Sequence, residues 1–201
     1  MRPSRIVLAT GNTGKVREMQ SHLEAAGVEV LPQSAFDMPP ALEDAPTFVE
    51  NALKKARHAA AHTGLPAVAD DSGLVVPALG GEPGVHSARY AGEAASDEDN
   101  VAKLLAALEG VADRRAWFHC AMVYVTHPQD PTPVIAEGRW VGWVATAAQG
   151  EGGFGYDPVF CLAPEGPSAA QLPPAEKHRL SHRGQALRAL LQRLDWGAAA
   201  T

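Results

Sequence analysis

The sequence predicts a mixed α/β fold, and three observations carry that expectation. The first third alternates short apolar runs with amphipathic helical stretches. Residues 117–145 hold consecutive strand-like runs, and the chain closes on leucines at helical spacing. No internal repeat and no linker separates independent domains, so residues 1–201 are read as one α/β unit with a substrate cleft between its halves.

Residues 6–9 form an apolar run of buried-strand type. After a glycine-rich turn, Val16, Met19, Leu23 and Ala26 recur on one helical face, and Gly27 closes that helix. Residues 28–31 are a second short strand. Thr47 followed three residues later by Glu50 is a capping-box signature, with Phe48, Ala52, Ala56 and Ala59 as the inner stripe and Gly64 as the stop. A strand over 65–69 runs into Asp70-Asp71-Ser72-Gly73, and a new apolar run begins at 74–76. Ser96 caps a helix whose inner side carries Val101, Leu104, Leu105 and Leu108. Strands are expected over 117–125, 134–140 and 141–145, then a loop over 150–155 and irregular chain to 174. The last helix carries Leu187, Leu190, Leu191 and Leu194 at i, i+3, i+4 and i+7.

Bulk properties exclude several classes. A chain that is 46% hydrophobic with a formal net charge of −6 buries a full core and lacks the basic excess of a nucleic-acid binder. No apolar run approaches the length of a membrane span, and MRPSR leads directly into a short strand rather than an export signal, so the expected location is cytoplasmic. Two cysteines, Cys120 and Cys161, and eight scattered histidines form no zinc-ligand spacing.

Four polar clusters remain. Thr10, Gly11, Asn12, Thr13, Gly14 and Lys15 make a glycine-rich turn between a strand and a helix, a natural anion site with one added positive charge. It is not a P-loop: the first glycine of that pattern would fall on Ala9, and Val16 replaces the hydroxyl residue. Asp70 and Asp71 end an apolar strand, either as a solvated acidic turn or as carboxylates meeting a cation. Magnesium takes one or two carboxylates plus phosphate and water, and Glu43 is a further acid available to it. The glycines around Phe154, Gly155, Tyr156 and Asp157 suit a loop that displays rings for stacking, or a tight turn whose rings are core. Lys177, His182 and Arg183 form a basic group near the start of the last helix, which Ser181 can cap, and Lys55 is a basic residue on an alanine-rich helix. Phosphate grips, carboxylates for a metal and a ring-binding loop together suit a nucleoside triphosphate with Mg2+.

The stretches TGNTGK, TFVENALKKARHAA, ADDSGL, GGEPGVHSARYAG, GGFGYDPVF and LSHRGQAL, in this order and over nearly the whole chain, resemble the Ham1/RdgB family. The resemblance implies an elongated mixed sheet flanked by helices, two lobes around a deep cleft, a homodimer, and Mg2+-dependent hydrolysis of ITP, dITP and XTP to monophosphate and pyrophosphate. It implies that Thr10 to Lys15 hold the triphosphate with Lys55 nearby, that Asp71 is the general base beside a metal shared with Glu43, and that Ser72 touches the substrate. Phe154, Gly155, Tyr156 and Asp157 would stack on and border the base, with Lys177, His182 and Arg183 reading its edge. Relatives often carry Glu-Glu-Thr-Gly where this chain has Leu42-Glu43-Asp44-Ala45, so Asp44 is a second candidate for the metal. A 6-oxo acceptor and an N1–H donor distinguish the deaminated purines from adenine, and rejection of GTP then falls on its 2-amino group. The rivals are a Maf-type pyrimidine triphosphate pyrophosphatase and a non-catalytic nucleotide sensor.

Overall fold

Among the described residues six strands form one sheet in the order β2-β1-β3-β4-β5-β6: β1 Arg5–Ala9, β2 Glu29–Pro32, β3 Ala67–Val75, β4 Arg115–Val125, β5 Val134–Val144 and β6 Phe160–Cys161. The α-helices among the described residues include α1 Phe48–Thr63, α2 Asp97–Ala107, α3 Pro174–Leu180 and α4 His182–Arg193. The sheet is mixed, since β1 runs parallel to β2 and β3 while β5 and β6 are antiparallel. This computed structural model describes residues 2–10, 20 and 27–196. The expected helix of Val16, Met19, Leu23 and Ala26 lies outside those residues, as do Gly11, Asn12, Thr13, Gly14 and Lys15.

The chain divides into two compact units built from discontinuous segments. The first comprises Met1–Asp71, Cys120–Gly138 and Gln185–Thr201, and the second Ser72–His119 and Arg139–Gly184. In the first unit, strand alternation assigns each side chain to a face. Ile6, Leu8, Val68, Cys120, Met122 and Tyr124 pack with Leu187 and Leu190 of α4. Their neighbours Val7, Ala9, Ala67, Ala69, Val123 and Val125 pack with Ala52, Ala56, Ala59 and Ala60 of α1. Strands covered on both faces read as continuous apolar runs, which is what residues 6–9 are. Each fully buried leucine on α4 contributes about 1.5–3 kcal/mol. In the second unit, Leu74 and Val76 join Leu104 of α2, Leu108 just past its end and an aromatic group of Phe118, Trp140, Tyr156 and Phe160.

Caps hold where expected. The Thr47 hydroxyl accepts the Glu50 N–H, Gly64 ends α1 at φ 66°, and Ser96 forms a full capping box with Asp99. Three expectations need correction. The runs 65–69 and 74–76 belong to one nine-residue strand that continues straight through Asp70 and Asp71. The runs 134–140 and 141–145 are one eleven-residue strand, β5. Its Gly142 admits close packing, since a Cβ there would lie 2.3 Å from the Cys161 carbonyl and 2.6 Å from the Phe160 ring. Finally, a two-residue strand, β6, stands within the stretch to 174 where irregular chain was expected, and α3 begins at the end of that stretch with Pro174 in its first turn.

Candidate active site

The acidic pair is built into the first unit at strand β3, and neither carboxylate is in water: Asp70 is 1% exposed and Asp71 8%. A solvated acidic turn is therefore not what the strand carries. The compensating charge comes from α1. The Lys55 ammonium donates to Glu43 Oε2 at 2.7 Å and to Asp71 Oδ1 at 3.3 Å. Burial pulls the Lys55 pKa down, but Asp71, Asp70 and Glu43 together outweigh it and hold the ammonium above the ordinary lysine value. Asn51, one turn earlier on α1 and hence on the same face, donates to Asp71 Oδ2 at 3.3 Å. Its amide also accepts the Ala45 N–H at 2.9 Å and donates to the Ala45 carbonyl at 3.2 Å.

The two candidate acids of the 42–45 segment part company here. Glu43 joins Lys55, whereas Asp44 forms an exposed ion pair with Lys54 whose hydrogen bond lowers the Asp44 pKa. Among the described residues no group of three or more His, Cys, Asp or Glu is arranged around a metal position. Glu43 and Asp71 nonetheless meet at a single cation, the Lys55 ammonium, and hard carboxylate oxygens in that number match a magnesium ion completed by phosphate and water. Thr10, the described end of the glycine-rich turn, donates its N–H to the Leu8 carbonyl at 3.1 Å.

The second unit gathers the other candidates. Phe154 is 47% exposed, with Lys177 Nζ 4.9 Å and the Arg183 guanidinium carbon 5.7 Å from its ring centroid. Arg183 donates to Ser72 Oγ at 3.2 Å, and the His182 ring stacks on Phe118 at 4.8 Å and 11°. Both residues occupy the first turn of α4, where Ser181 Oγ accepts the Gly184 N–H at 3.1 Å, so the expected cap is formed. Lys177 comes from α3 and donates to Asp157 Oδ2 at 2.5 Å.

The glycine-rich loop divides between its two readings. Phe154 is displayed, but Tyr156 is buried, and its hydroxyl donates to the Ser87 carbonyl at 2.8 Å. Burial pushes the Tyr156 phenol well up. The expectation that Tyr156 presents its ring for stacking is thus corrected: the aromatic core of the second unit claims it. Asp157 is buried too, and Oδ2 accepts the Phe154 N–H at 2.8 Å besides Lys177. Gly153 makes that turn possible, since at φ 80° an added Cβ would lie 2.3 Å from Asp157 Oδ2. Gly155, also left-handed, donates its N–H to Asp97 Oδ2 at 2.6 Å.

Sequence reasoning passed over Asn51, Asp97 and Phe118. The i, i+4 relation between Asn51 and Lys55 was the available signal for the first. Asp97 and Phe118 are distant in sequence from the groups they hold.

The model described as the Ham1 family matches residues 6–193. A dITP/XTP pyrophosphatase of Methylococcus capsulatus is 60% identical over 192 residues, covering 94% of this chain and 96% of that protein. One from Vibrio parahaemolyticus is 56% identical over 95% of this chain and 96% of its own length. Among solved structures, a HAM1 protein from Coxiella burnetii superposes with a TM-score of 0.91 at 47% identity, over 96% of this chain and 99% of that one. With the family match spanning both units and relatives above half identity over nearly their full lengths, the chain belongs to the Ham1 family.

Proposed function

We propose that the chain hydrolyses the deaminated purine nucleoside triphosphates ITP, dITP and XTP to the monophosphate and pyrophosphate. The observation that carries this reading is the Lys55 ammonium held between Glu43 and Asp71, the latter buried in the middle of β3. The dITP/XTP pyrophosphatase names of the relatives support the substrate class. They lend nothing to the pyrimidine or sensor readings.

In this reading a water oxygen bonds to the α-phosphorus, the bond to the α–β bridging oxygen breaks, and its electron pair leaves on pyrophosphate. Asp71 takes the proton from the attacking water. Lys55 balances the charge that grows on the leaving group, where a preoriented cation in a low-dielectric site acts strongly. Residues 10–15 grip the triphosphate through backbone N–H groups and Lys15. Glu43 and Asp71 would hold Mg2+ together with substrate oxygens and water, and that ion supplies Lewis-acid neutralisation of phosphate charge. Phe154 stacks on the base, flanked by Lys177, and Ser72 fixes Arg183, which with His182 offers donors to the 6-oxo edge. Tyr156 and Asp157 serve by shaping the loop that presents Phe154. A homodimer in the cytoplasm belongs to the same reading; no described helix is long and apolar enough to cross a membrane.

The test is a panel of ITP, dITP, XTP, GTP, ATP and dTTP with purified chain, Mg2+ or EDTA, and product analysis. Turnover confined to the deaminated purines and dependent on added metal is expected. Preferential cleavage of dTTP, or equal cleavage of ATP and ITP, would overturn the substrate assignment.

A further inference from the structure

Asn51 is 1% exposed, on the second turn of α1, and its carboxamide does three things. Oδ1 accepts the Ala45 N–H, while the two hydrogens of Nδ2 go to the Ala45 carbonyl and to Asp71 Oδ2. The amide cannot be reversed, because its NH2 would then face the Ala45 N–H, donor against donor. The paired bonds to Ala45 tie down the segment that carries Glu43, two residues earlier. The third bond meets the oxygen of Asp71 that Lys55 does not use, so Asp71 is held at Oδ2 by Asn51 and at Oδ1 by Lys55. A carboxylate held at both oxygens cannot rotate, and the loop bearing the second carboxylate is set by the same side chain.

We propose that Asn51 is the positioning residue of this site, fixing the plane of the Asp71 carboxylate and the placement of the Glu43 segment, and so controlling turnover rather than substrate affinity. The inference rests on Asp71 acting as base. Asn51 does not touch the substrate in this account and acts through the Asp71 carboxylate that it holds. Misplacing a reacting group by an ångström costs about 10²-fold in rate while leaving binding from the rest of the nucleotide intact.

The test compares wild type, Asn51→Asp, Asn51→Ala and Thr47→Ala. Steady-state kinetics with ITP are run well below each melting temperature, alongside hydrogen exchange at the Ala45 amide. Asn51→Asp keeps an acceptor for the Ala45 N–H but removes both Nδ2 donations. It should leave the Ala45 amide protected, lower kcat about 10²-fold and leave KM within about threefold. Asn51→Ala should speed Ala45 exchange at least about tenfold and lower kcat as far. Thr47→Ala weakens the start of the same helix without touching the carboxamide, and should keep kcat within about twofold. Wild-type kcat in Asn51→Asp would overturn the proposal, as would an equal kcat loss in Thr47→Ala, which would reduce Asn51 to a helix stabiliser. If Asn51→Ala does not fold, Asn51→Asp carries the decision. No pyrophosphate from the wild type would sink the functional reading, whereas unchanged Ala45 exchange in Asn51→Ala would sink the clamp by itself.

Discussion

Replacing Lys55 by Met removes the ammonium that Asp71 and Glu43 share while keeping most of the side-chain volume. At 3.3 Å and an effective dielectric of about 20, the attraction to Asp71 alone is about 5 kcal/mol before desolvation. The Lys55 and Asp71 side chains are 13% and 11% exposed, so water does not replace the lost partner. Glu43, whose side chain is 39% exposed, can turn toward solvent and adds little. Breaking one side of such a pair leaves an uncompensated charge and costs about 3–5 kcal/mol. Taking about 3 kcal/mol and the slope for a domain of this size, the melting temperature should fall by about 6–12 °C. The sign of the pH dependence follows from the direction of the Lys55 shift. An ammonium whose pKa is raised on folding contributes fully below its ordinary value of 10.5, and the contribution fades as pH rises through the higher folded value. Thermal melts of both proteins at neutral pH and above pH 10.5 measure this, with the gap narrowing in alkali. A Lys55→Met protein that melts within about 2 °C of wild type at neutral pH would refute the reasoning.

Phe154→Ala should raise KM for ITP by about 5–150-fold with kcat nearly unchanged, since base–aromatic stacking is worth about 1–3 kcal/mol; steady-state kinetics decide it. Tyr156→Phe should destabilise by about 1 kcal/mol through loss of the bond to Ser87 yet leave kcat/KM intact, and a large loss in kcat/KM would return Tyr156 to the substrate. Asp130 accepts the N–H and hydroxyl groups of both Thr126 and Thr132, which hold its carboxyl down to about 2. Asp130→Asn should therefore lower the urea midpoint at neutral pH by the equivalent of about 2 kcal/mol. The deficit should shrink as pH falls below the ordinary carboxylate range, because a depressed pKa stabilises only while the group is ionised.

What was legible in the sequence is what neighbouring residues decide. Thr47, Ser96 and Ser181 announce helix starts and Gly64 a helix end, because a cap needs only its own turn. The alternation of Ile6 and Leu8 with Val7 and Ala9 needs only the strand period. What escaped depends on partners far along the chain. Asp70 and Asp71 admitted two readings, a solvated turn or carboxylates meeting a cation, because adjacent carboxylates disfavour a buried strand without one, and Lys55 supplies it from sixteen residues before Asp71. The runs 134–140 and 141–145 were divided although they form one strand, and the Phe160 ring that packs against Gly142 within it is not a sequence neighbour. Tyr156 and Phe154 are alike locally, and only the position of Ser87 and the surrounding aromatic core separates a buried ring from a displayed one. Asn51 was hidden because a polar residue near a helix start ordinarily faces water, and its carboxamide reaches Asp71, twenty residues on, only through the fold.

The most direct measurement is a phosphorus NMR time course of ITP with Mg2+, wild type beside Asp71→Asn. The account predicts inosine monophosphate and pyrophosphate from the wild type and a rate at least about 10²-fold lower from the variant, as for loss of a general base. Orthophosphate with inosine diphosphate, or an undiminished rate in Asp71→Asn, would contradict it.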